Sequence, residues 1–271
     1  MITSSSNEFV KFIRKLREKK FRDLNGLAFI EGTKLVIDAQ QQGAVIEKLI
    51  ITDSYEQSIK RQDINHRLSS LTAEKISVSD EVFKTISSKK NPQGIGALIK
   101  QDWLPFETLR NKFSGLWVAL WEIADPGNLG SIMRTVDAVG ARGIILIGNC
   151  TDPYDPGAVR GSMGAIFSNI LVKSNMQKFV GWVSTQNIAV YGTSDAAKTY
   201  YRATRYPQDM ILAMGSERQG LPEEVIISCR SLVQIPMGGT SDSLNLAVAT
   251  GIVLYEIYDQ NFRKGSDDRI S

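Results

Sequence analysis

Continuous runs of apolar residues alternate with amphipathic stretches through the C-terminal half of this chain. The apolar runs predict β-strands at residues 116–123, 143–148, 169–173, 188–192, 210–215 and 231–237. The amphipathic stretches predict helices at residues 131–141, 157–167, 176–185 and 222–229. Because continuous apolar strands joined by helices are typical of a parallel sheet covered on both faces, this half predicts an α/β domain. In such sheets a ligand lies beyond the carboxyl ends of the strands.

A shorter alternation of the same kind fills the first hundred residues. It predicts strands at residues 27–30, 45–52, 76–78 and 94–100, and helices at residues 33–42, 69–75 and 80–87. Residues 101–114 carry Trp103, Pro105 and a mixed-charge run, and they interrupt the pattern. The chain is therefore predicted to hold a smaller α/β domain over residues 1–100, a linker over residues 101–114 and a second domain over residues 115–271.

Residues 235–258 join a strand end, a small polar loop and an almost wholly apolar helix. Gly238 and Gly239 let the backbone come close to a bound molecule. The polar residues that can cap the following helix are Ser241, Asp242 and Ser243. Residues 246–254 are apolar or small on every face, which indicates burial in a core or an interface. The segment is either a ligand-binding loop or an ordinary strand, turn and capped helix.

Composition narrows the class of protein. The chain has 271 residues, is 42% hydrophobic, and has no uncharged apolar run of membrane-spanning length, so we expect a cytoplasmic protein with no membrane partner. The N-terminus has no apolar core followed by a cleavage signal, so secretion is not expected. Cys150, Cys229 and His66 are too few and too far apart for a usual zinc site, so no metal is expected.

Net charge is only +3, but basic residues crowd the N-terminal segment. The candidate RNA-binding residues there are Arg14, Lys15, Arg17, Lys19, Lys20 and Arg22. On a helix they would cover most of the polar circumference. This pattern is either a solvated helix face or a phosphate-binding patch.

Three polar loops follow predicted strands. Residues 124–130, ADPGNLG, precede a helix in which Ile132, Val136 and Val139 form an apolar stripe and Arg134 points off that stripe. Residues 214–222 place Glu217 between glycines, and the third loop is the one after residue 235. No glycine pattern of the dinucleotide or nucleoside-triphosphate type occurs in them.

Together the loops resemble the three ordered motifs of the SpoU (TrmH) family of RNA ribose methyltransferases. The matching residues are Asn128, Gly130 and Arg134 in the first, Gly215, Glu217 and Gly220 in the second, and Ile235-Pro236-Met237 with Ser243-Leu244-Asn245 in the third. The segment from Arg160 to Ala165 is also similar to that family. FIEG at 29–32 and NPQG at 91–94 resemble its N-terminal, L30e-like substrate-binding domain.

The resemblance implies an α/β fold with a deep trefoil knot, a homodimer through the knotted domain, and S-adenosylmethionine as methyl donor. The residues it implies for donor binding are Met214, Gly215, Ser216, Gly220, Ile235, Met237, Ser243, Leu244 and Asn245. The residues it implies for catalysis are Asn128, Arg134, Glu217, Ser243 and Asn245, and Arg160 is a further candidate for RNA binding or for a surface salt bridge. Many members have serine where this chain has Ala247, so we expect no hydroxyl role there.

The expected reaction is 2′-O-methylation of ribose in RNA. Ribosomal RNA of the large subunit is the favoured substrate, because the chain carries a full extra domain beside the one that matches the methyltransferase motifs. Transfer RNA is an alternative substrate. A non-catalytic RNA-binding protein of the same fold is an alternative function, which the complete set of motif residues disfavours.

Overall fold

The computed structural model describes residues 1–59, 73–240 and 242–261. It divides into two compact units. The first comprises Met1–Asp102 together with Tyr154–Ser168, and the second comprises Trp103–Pro153 and the described residues from Asn169 onward. A segment from the middle of the chain is therefore part of the N-terminal unit, which the apolar pattern did not predict.

The strands are β1 (Leu27–Glu31), β2 (Ile46–Thr52), β3 (Glu74–Val78), β4 (Ile95–Lys100), β5 (Leu116–Trp121), β6 (Gly143–Ile147), β7 (Ile170–Ser174), β8 (Val190–Thr193), β9 (Thr199–Tyr200), β10 (Met210–Met214) and β11 (Ser231–Gln234). The helices are α1 (Glu8–Lys15), α2 (Lys19–Asn25), α3 (Thr33–Gln41), α4 (Asp53–Ile59), α5 (Asp80–Ile86), α6 (Phe106–Asn111), α7 (Pro126–Ala138), α8 (Pro156–Ser162), α9 (Met176–Thr185), α10 (Glu223–Ser228) and α11 (Leu246–Asn261).

The first unit contains a four-stranded sheet among its described residues, in the order β1-β4-β2-β3. β4 runs antiparallel to β1 and β2, and β3 runs parallel to β2. Helices α1 and α5 pack on this sheet through a core that includes Val10, Ile13, Val82, Phe83 and Leu98. Side chains of Asn7 and Ser79 cap the two helices at their first turns.

Basic residues of the N-terminal segment lie on two helices rather than one, since the chain leaves the helix after Lys15 and begins α2 at Lys19. Arg22 is only 2% exposed, and its Nη1 donates to the carbonyl oxygens of Leu16 and Arg17 at 2.8 and 2.7 Å. Its Nη2 lies 3.9 Å from Asp155 Oδ2. A guanidinium held in this way does not face an RNA phosphate, so including Arg22 in the RNA-binding set was wrong.

Glu31 is a second buried charged residue of the first unit, at 8% exposure. Its Oε1 accepts hydrogen bonds from the backbone nitrogen and the hydroxyl of Ser88, at 2.9 and 2.6 Å. Its Oε2 accepts a short hydrogen bond from the Ser87 hydroxyl. One carboxylate at the end of β1 therefore fixes the loop that follows α5.

The described residues of the second unit form a seven-stranded sheet in the order β7-β6-β5-β10-β8-β11-β9, and all of its paired strands are parallel. β6 and β10 are buried at every position, as expected for strands covered on both faces. One layer of the core packs Trp117, Ile145, Phe179 and Trp182 together. The predicted α/β class with a parallel sheet is confirmed.

Several element boundaries differ from the prediction. Helix α7 begins at Pro126 and not at residue 131, because Asp125 caps it and proline is compatible with the first turn. The helix predicted over residues 157–167 ends at Ser162, since Met163 and Gly164 have φ angles of 54° and 99°. A separate 3₁₀ turn then spans Ala165–Phe167.

Other differences concern residues 101–114, the last strand and the helix predicted over residues 69–75. Residues 101–114, predicted as a linker, contain helix α6, which buries Leu109 in the core of the second unit. The strand predicted over residues 231–237 ends at Gln234. Of the helix predicted over residues 69–75, the last two residues lie in β3, and the rest, like His66, falls largely outside the described residues.

Cys150 is buried and Cys229 is half-buried. Burial raises the pKa of the Cys229 thiol to about 12, so this group is protonated and unreactive at neutral pH. Among the described residues, no helix is both long and apolar enough to cross a membrane.

We expect Glu31→Ala to lower the free energy of unfolding by about 1–3 kcal/mol, because the buried Ser87 hydroxyl and the partly buried Ser88 amide lose their acceptor. Glu31→Gln is the matched control and should lose less, since its amide oxygen can still accept from Ser88. Urea unfolding of the full chain measures both. Equal losses for the two variants would contradict the assigned role of the carboxylate.

Candidate functional site

The three motif loops leave the sheet of the second unit at one edge. Because all strands of this sheet run in the same direction, their carboxyl ends lie together. The first loop follows β5 and the second follows β10, which is the neighbour of β5 in the sheet. The third follows β11, which lies two strands from β10. Sheet topology thus brings together residues that are far apart in sequence.

Asn128 lies in the first turns of α7, where the sequence pattern predicted a loop. Asp125 caps this helix, and its Oδ1 accepts from the Asn128 backbone nitrogen at 2.6 Å. The cap fixes the backbone of Asn128 and aims its side chain toward the other loops. Asp125 is a site residue that the sequence reasoning missed, although an Asp-Pro pair before an apolar helix is a recognisable start signal.

A chain of side-chain hydrogen bonds connects the three motifs. Asn128 Nδ2 donates to Glu217 Oε1 at 2.8 Å, and Asn245 Nδ2 donates to Asn128 Oδ1 at 2.9 Å. Asn245 Oδ1 accepts from the backbone nitrogens of Ala247 and Val248 at 2.9 and 3.3 Å, which caps α11. One residue from each predicted motif therefore takes part in a single network.

The donors and acceptors of this network can be assigned in only one way. An ionised Glu217 can only accept, so Asn128 must turn its amide nitrogen toward it and its oxygen toward Asn245. The oxygen of Asn245 is already used by the amides of α11, so its nitrogen faces Asn128. Each of these hydrogen bonds joins a donor to an acceptor, and the orientation of both asparagines follows from the helix cap at one end and the carboxylate at the other.

Helices α7 and α11 run side by side from this point. Their first turns meet through Asn128 and Asn245, and further along a Cβ atom placed at Gly251 would lie 3.8 Å from Thr135 Cγ2. Both helices therefore begin at the site. Their positive ends favour the Glu217 carboxylate there and also favour an anionic ligand group.

The second loop closes tightly on itself. Ser216 and Gly220 exchange backbone hydrogen bonds at 3.1 and 3.0 Å, and Ser216 Oγ accepts from the Gln219 nitrogen at 3.2 Å. A Cβ atom at Gly215 would lie 2.0 Å from the Gly220 carbonyl carbon, so a side chain there would force the loop open. Met214 is buried in the strand, and its sulfur accepts from the Thr193 hydroxyl, so only its backbone can face a ligand.

In the third loop the described residues are largely exposed. Met237 is 42% exposed, Ser243 is exposed, and Ile235 and Leu244 are half-buried. The space around Gly238 and Gly239 is open, since no atom lies within 4 Å of a Cβ built at either position. An exposed methionine beside open glycine backbone is suited to contact an apolar part of a ligand.

Arg134 lies on α7, six residues after Asn128. Ile132, Val136 and Val139 are buried, as the apolar stripe predicted, and Arg134 is exposed. Within the part of the chain that the structure describes, its guanidinium has no hydrogen bond or ion pair. The arginine is therefore available to bind a ligand, and its removal opens no core cavity.

The candidate RNA-binding residues lie in the first unit. Lys15, Arg17, Lys19 and Lys20 are exposed, and Arg14 is half-buried with its Nη2 donating to the Ser5 carbonyl oxygen at 2.7 Å. Arg160 lies on α8, exposed, and forms no ion pair with any residue that the structure describes. Arg160 thus belongs to the N-terminal unit, although its sequence neighbours led us to expect it in the C-terminal one.

Comparison with known proteins agrees with this geometry. The SpoU rRNA Methylase family matches residues 115–255, and the MRM3-like substrate binding domain matches residues 7–97. The crystal structure of an rRNA methyltransferase from Sinorhizobium meliloti is 37% identical, with a TM-score of 0.84 over 96% of this chain and 97% of that one. That protein has also been solved with AdoMet bound.

Two further relatives carry more specific names. The SpoU methyltransferase AviRb from Streptomyces viridochromogenes, solved in complex with AdoMet, is 26% identical with a TM-score of 0.84, covering 94% of this chain and 98% of its own. The 23S rRNA (guanosine(2553)-2'-O)-methyltransferase RlmP of Bacillus subtilis is 27% identical over 94% of this chain and 98% of its own length.

A parallel α/β sheet with three polar loops at its carboxyl edge, preceded by a smaller domain that matches a substrate-binding family, is the architecture of a SPOUT-type methyltransferase. The chain belongs to the SpoU rRNA methylase family. The resemblance inferred from its motifs is confirmed.

Asn245 offers a test of the network, because its side-chain nitrogen bonds Asn128 whereas its side-chain oxygen caps α11. We expect Asn245→Ala to lower the free energy of unfolding by about 0.5–2 kcal/mol through loss of the α11 cap. Asn245→Asp keeps the capping oxygen and adds a negative charge that is favourable at the start of α11, which offsets the loss of the hydrogen bond to Asn128, so it should be the more stable variant. Chemical denaturation at neutral pH checks this order, and the reverse order would contradict the assigned hydrogen bonds.

Proposed function

We propose that this protein transfers a methyl group from S-adenosylmethionine to a ribose 2′-hydroxyl of ribosomal RNA, with the large-subunit 23S-type RNA as substrate. The observation that carries the proposal is the network of Asn128, Glu217 and Asn245 at the sheet edge, with the exposed Arg134 on the same helix as Asn128. Relatives named as rRNA methyltransferases, two of them solved with AdoMet, support it.

The residues present fit S-adenosylmethionine. Backbone groups of Gly215, Ser216 and Gly220 line a loop that cannot carry a larger side chain at its first position. Met237 offers exposed apolar surface, with Ile235 and Leu244 half-buried beside it in the same loop. When bound, S-adenosylmethionine supplies an electrophilic methyl group and leaves as a neutral thioether.

Residues of the chain then have three tasks: alignment of the hydroxyl with the methyl group, removal of the hydroxyl proton and binding of the neighbouring phosphate. Arg134 binds the phosphate, and because arginine stays protonated, removal of the proton is coupled to that phosphate. Asn128 and Glu217 keep the first two loops in register. Ser243 and Asn245 hold the reacting groups from the third loop.

Three further features of the family expectation are part of the proposal: a deep trefoil knot in the C-terminal domain, a cytoplasmic location and a homodimer. The dimer is supported by α11, where Val248 and Tyr255 are 51% and 54% exposed. They are seven residues apart and therefore share one face of the helix. Large apolar side chains that remain exposed on one face are suited to a partner surface.

Replacing Val248 and Tyr255 together by glutamate should weaken dimerisation at least about tenfold, because two charges would have to be buried in the interface. Ile227→Glu is the control, since Ile227 is 76% exposed on α10. Analytical ultracentrifugation over a concentration series measures both. A wild-type monomer, or a double variant as dimeric as the control, would contradict the proposed interface.

Arg134→Ala should lower the rate of methyl transfer by roughly 100-fold or more, the size of effect seen when a proton-transfer group is deleted. Arg134→Lys should also be severely impaired, because an ammonium lacks the planar fork that bridges two groups. Donor affinity by calorimetry and the free energy of unfolding should stay close to wild type, since Arg134 is exposed.

The measurement is single-turnover methylation at saturating donor and RNA, with Arg142→Ala as control. Arg142 is an exposed arginine just before β6, at the opposite edge of the same sheet. The substrate is ribosomal RNA from a strain that lacks this gene, and the product is mapped for 2′-O-methylation. Methylation of transfer RNA alone would change the substrate class. No transfer by the wild type to either RNA would overturn the proposed function.

A further inference from the structure

The first unit contains a cleft whose lining comes from five separate parts of the chain. These are helix α1 with the turn after it, strand β1, helix α3, the end of α5 with the loop after it, and helix α8 with the residue Tyr154 before it. Three of its lining residues are cations: Arg17, Lys89 and Arg160. Glu31 is the one carboxylate that lines it within the described part of the chain, and its oxygens are occupied by Ser87 and Ser88.

Buried contacts hold these cations in place. Asp155 caps α8 through the Gly157 nitrogen, at 2.7 Å, and lies 3.9 Å from the buried guanidinium of Arg22. Arg22 in turn donates to the carbonyl oxygen of Arg17. The helix that carries Arg160 and the turn that carries Arg17 thus both contact the buried guanidinium of Arg22.

Lys89, the third cation, lies in the loop after α5. Arg17 Nη2 donates to the carbonyl oxygens of Thr85 and Ser87 at 3.1 and 2.7 Å. Lys89 Nζ donates to the carbonyl oxygen of Glu31 at 3.3 Å. Glu31 holds the loop between them, so the positions of Arg17 and Lys89 depend on one another.

Each cation keeps hydrogen-bond donors to spare. Arginine has five N–H donors and lysine has three, and Arg17 and Lys89 use only part of theirs. Arg160 uses none of its donors toward any residue that the structure describes. With three cations and one hydrogen-bonded carboxylate in its lining, the cleft has a positive charge balance and open donors, which suits a phosphate group.

The floor of the cleft argues for the backbone of a nucleic acid and not for an inserted base. Ile13, Leu16 and Val159 form part of this floor and are 1%, 2% and 3% exposed. Because these three side chains are buried against their neighbours, they offer a base little surface for stacking. A phosphodiester needs only the cations of the lining.

We propose that Arg17, Lys89 and Arg160 form a phosphate-binding cleft for the RNA backbone. The identity of the ligand as RNA rests on the proposed function. Lys89 was not among the basic residues that the sequence pointed to, and Arg160 acts with the N-terminal unit. The cleft sets where the substrate-binding unit holds the RNA strand and takes no part in methyl transfer.

The test compares two double variants of the full chain that lose the same charge. Lys89→Gln with Arg160→Gln removes two cations from the cleft. Lys84→Gln with Lys90→Gln removes two exposed cations of the same unit that do not line it. The RNA is an in-vitro transcript of the 23S rRNA segment that the wild type methylates, and affinity is measured by fluorescence anisotropy from low to high salt.

We expect the cleft variant to bind RNA roughly tenfold or more weaker at 0.1 M salt. Its slope of log affinity against log salt should fall by about 1.4–1.8, for two lost phosphate contacts at roughly 0.7–0.9 each. The control variant should change much less, and both variants should retain wild-type affinity for S-adenosylmethionine.

If the two variants have equal affinities and slopes while the wild type methylates RNA, the phosphate-binding role of the cleft is wrong. The proposed function is then unaffected. A normal affinity with a reduced single-turnover rate would also overturn the phosphate-binding role, because the residues would then act on the chemical step. A wild-type chain that neither binds nor methylates RNA would overturn both proposals together.

Discussion

The hydrogen bonds of Asn128 are the interaction on which the catalytic unit depends. This side chain donates to Glu217 and accepts from Asn245, and it lies at the capped start of α7. The asparagine amide is donor and acceptor at once and has the reach to meet both partners. An aspartate would face Glu217 with like charge, and a serine would be too short to span both partners. Three loops from different parts of the chain therefore depend on one planar group.

The parallel sheet makes that contact possible. Because every strand points the same way, the loops after β5, β10 and β11 emerge at one edge, and α7 and α11 both start there. The apolar residues of these helices go to the core, and the residues left at the edge are glycines, amides, Glu217 and the exposed Arg134. The edge thus combines close backbone approach with positive helix ends, which suit an anionic group such as a phosphate.

In the N-terminal unit, two buried charged side chains hold neighbouring segments of the chain together. Arg22 and Glu31 lie in its interior with their hydrogen-bonding groups occupied, and each fixes a neighbouring segment. Breaking such contacts is costly because an unpaired buried charge remains. The contact between Arg22 and Asp155 ties residues 154–168 to this unit, so a boundary drawn between residues 100 and 115 does not separate all the residues that pack together.

The sequence alone determined the α/β class, the parallel sheet and the three motifs, because strands buried on both faces must be continuously apolar and ligand loops must carry glycine and polar residues. It also predicted that Arg134 points off the buried face of its helix, since that follows from helical periodicity. Contacts between distant residues were decided by the tertiary structure. The burial of Arg22 depends on Asp155 and on the carbonyl groups at the end of α1, and the place of Lys89 beside Arg17 depends on Glu31. A basic segment looks the same in sequence whether its charges face water or the protein interior, because local periodicity carries no information about partners more than a hundred residues away.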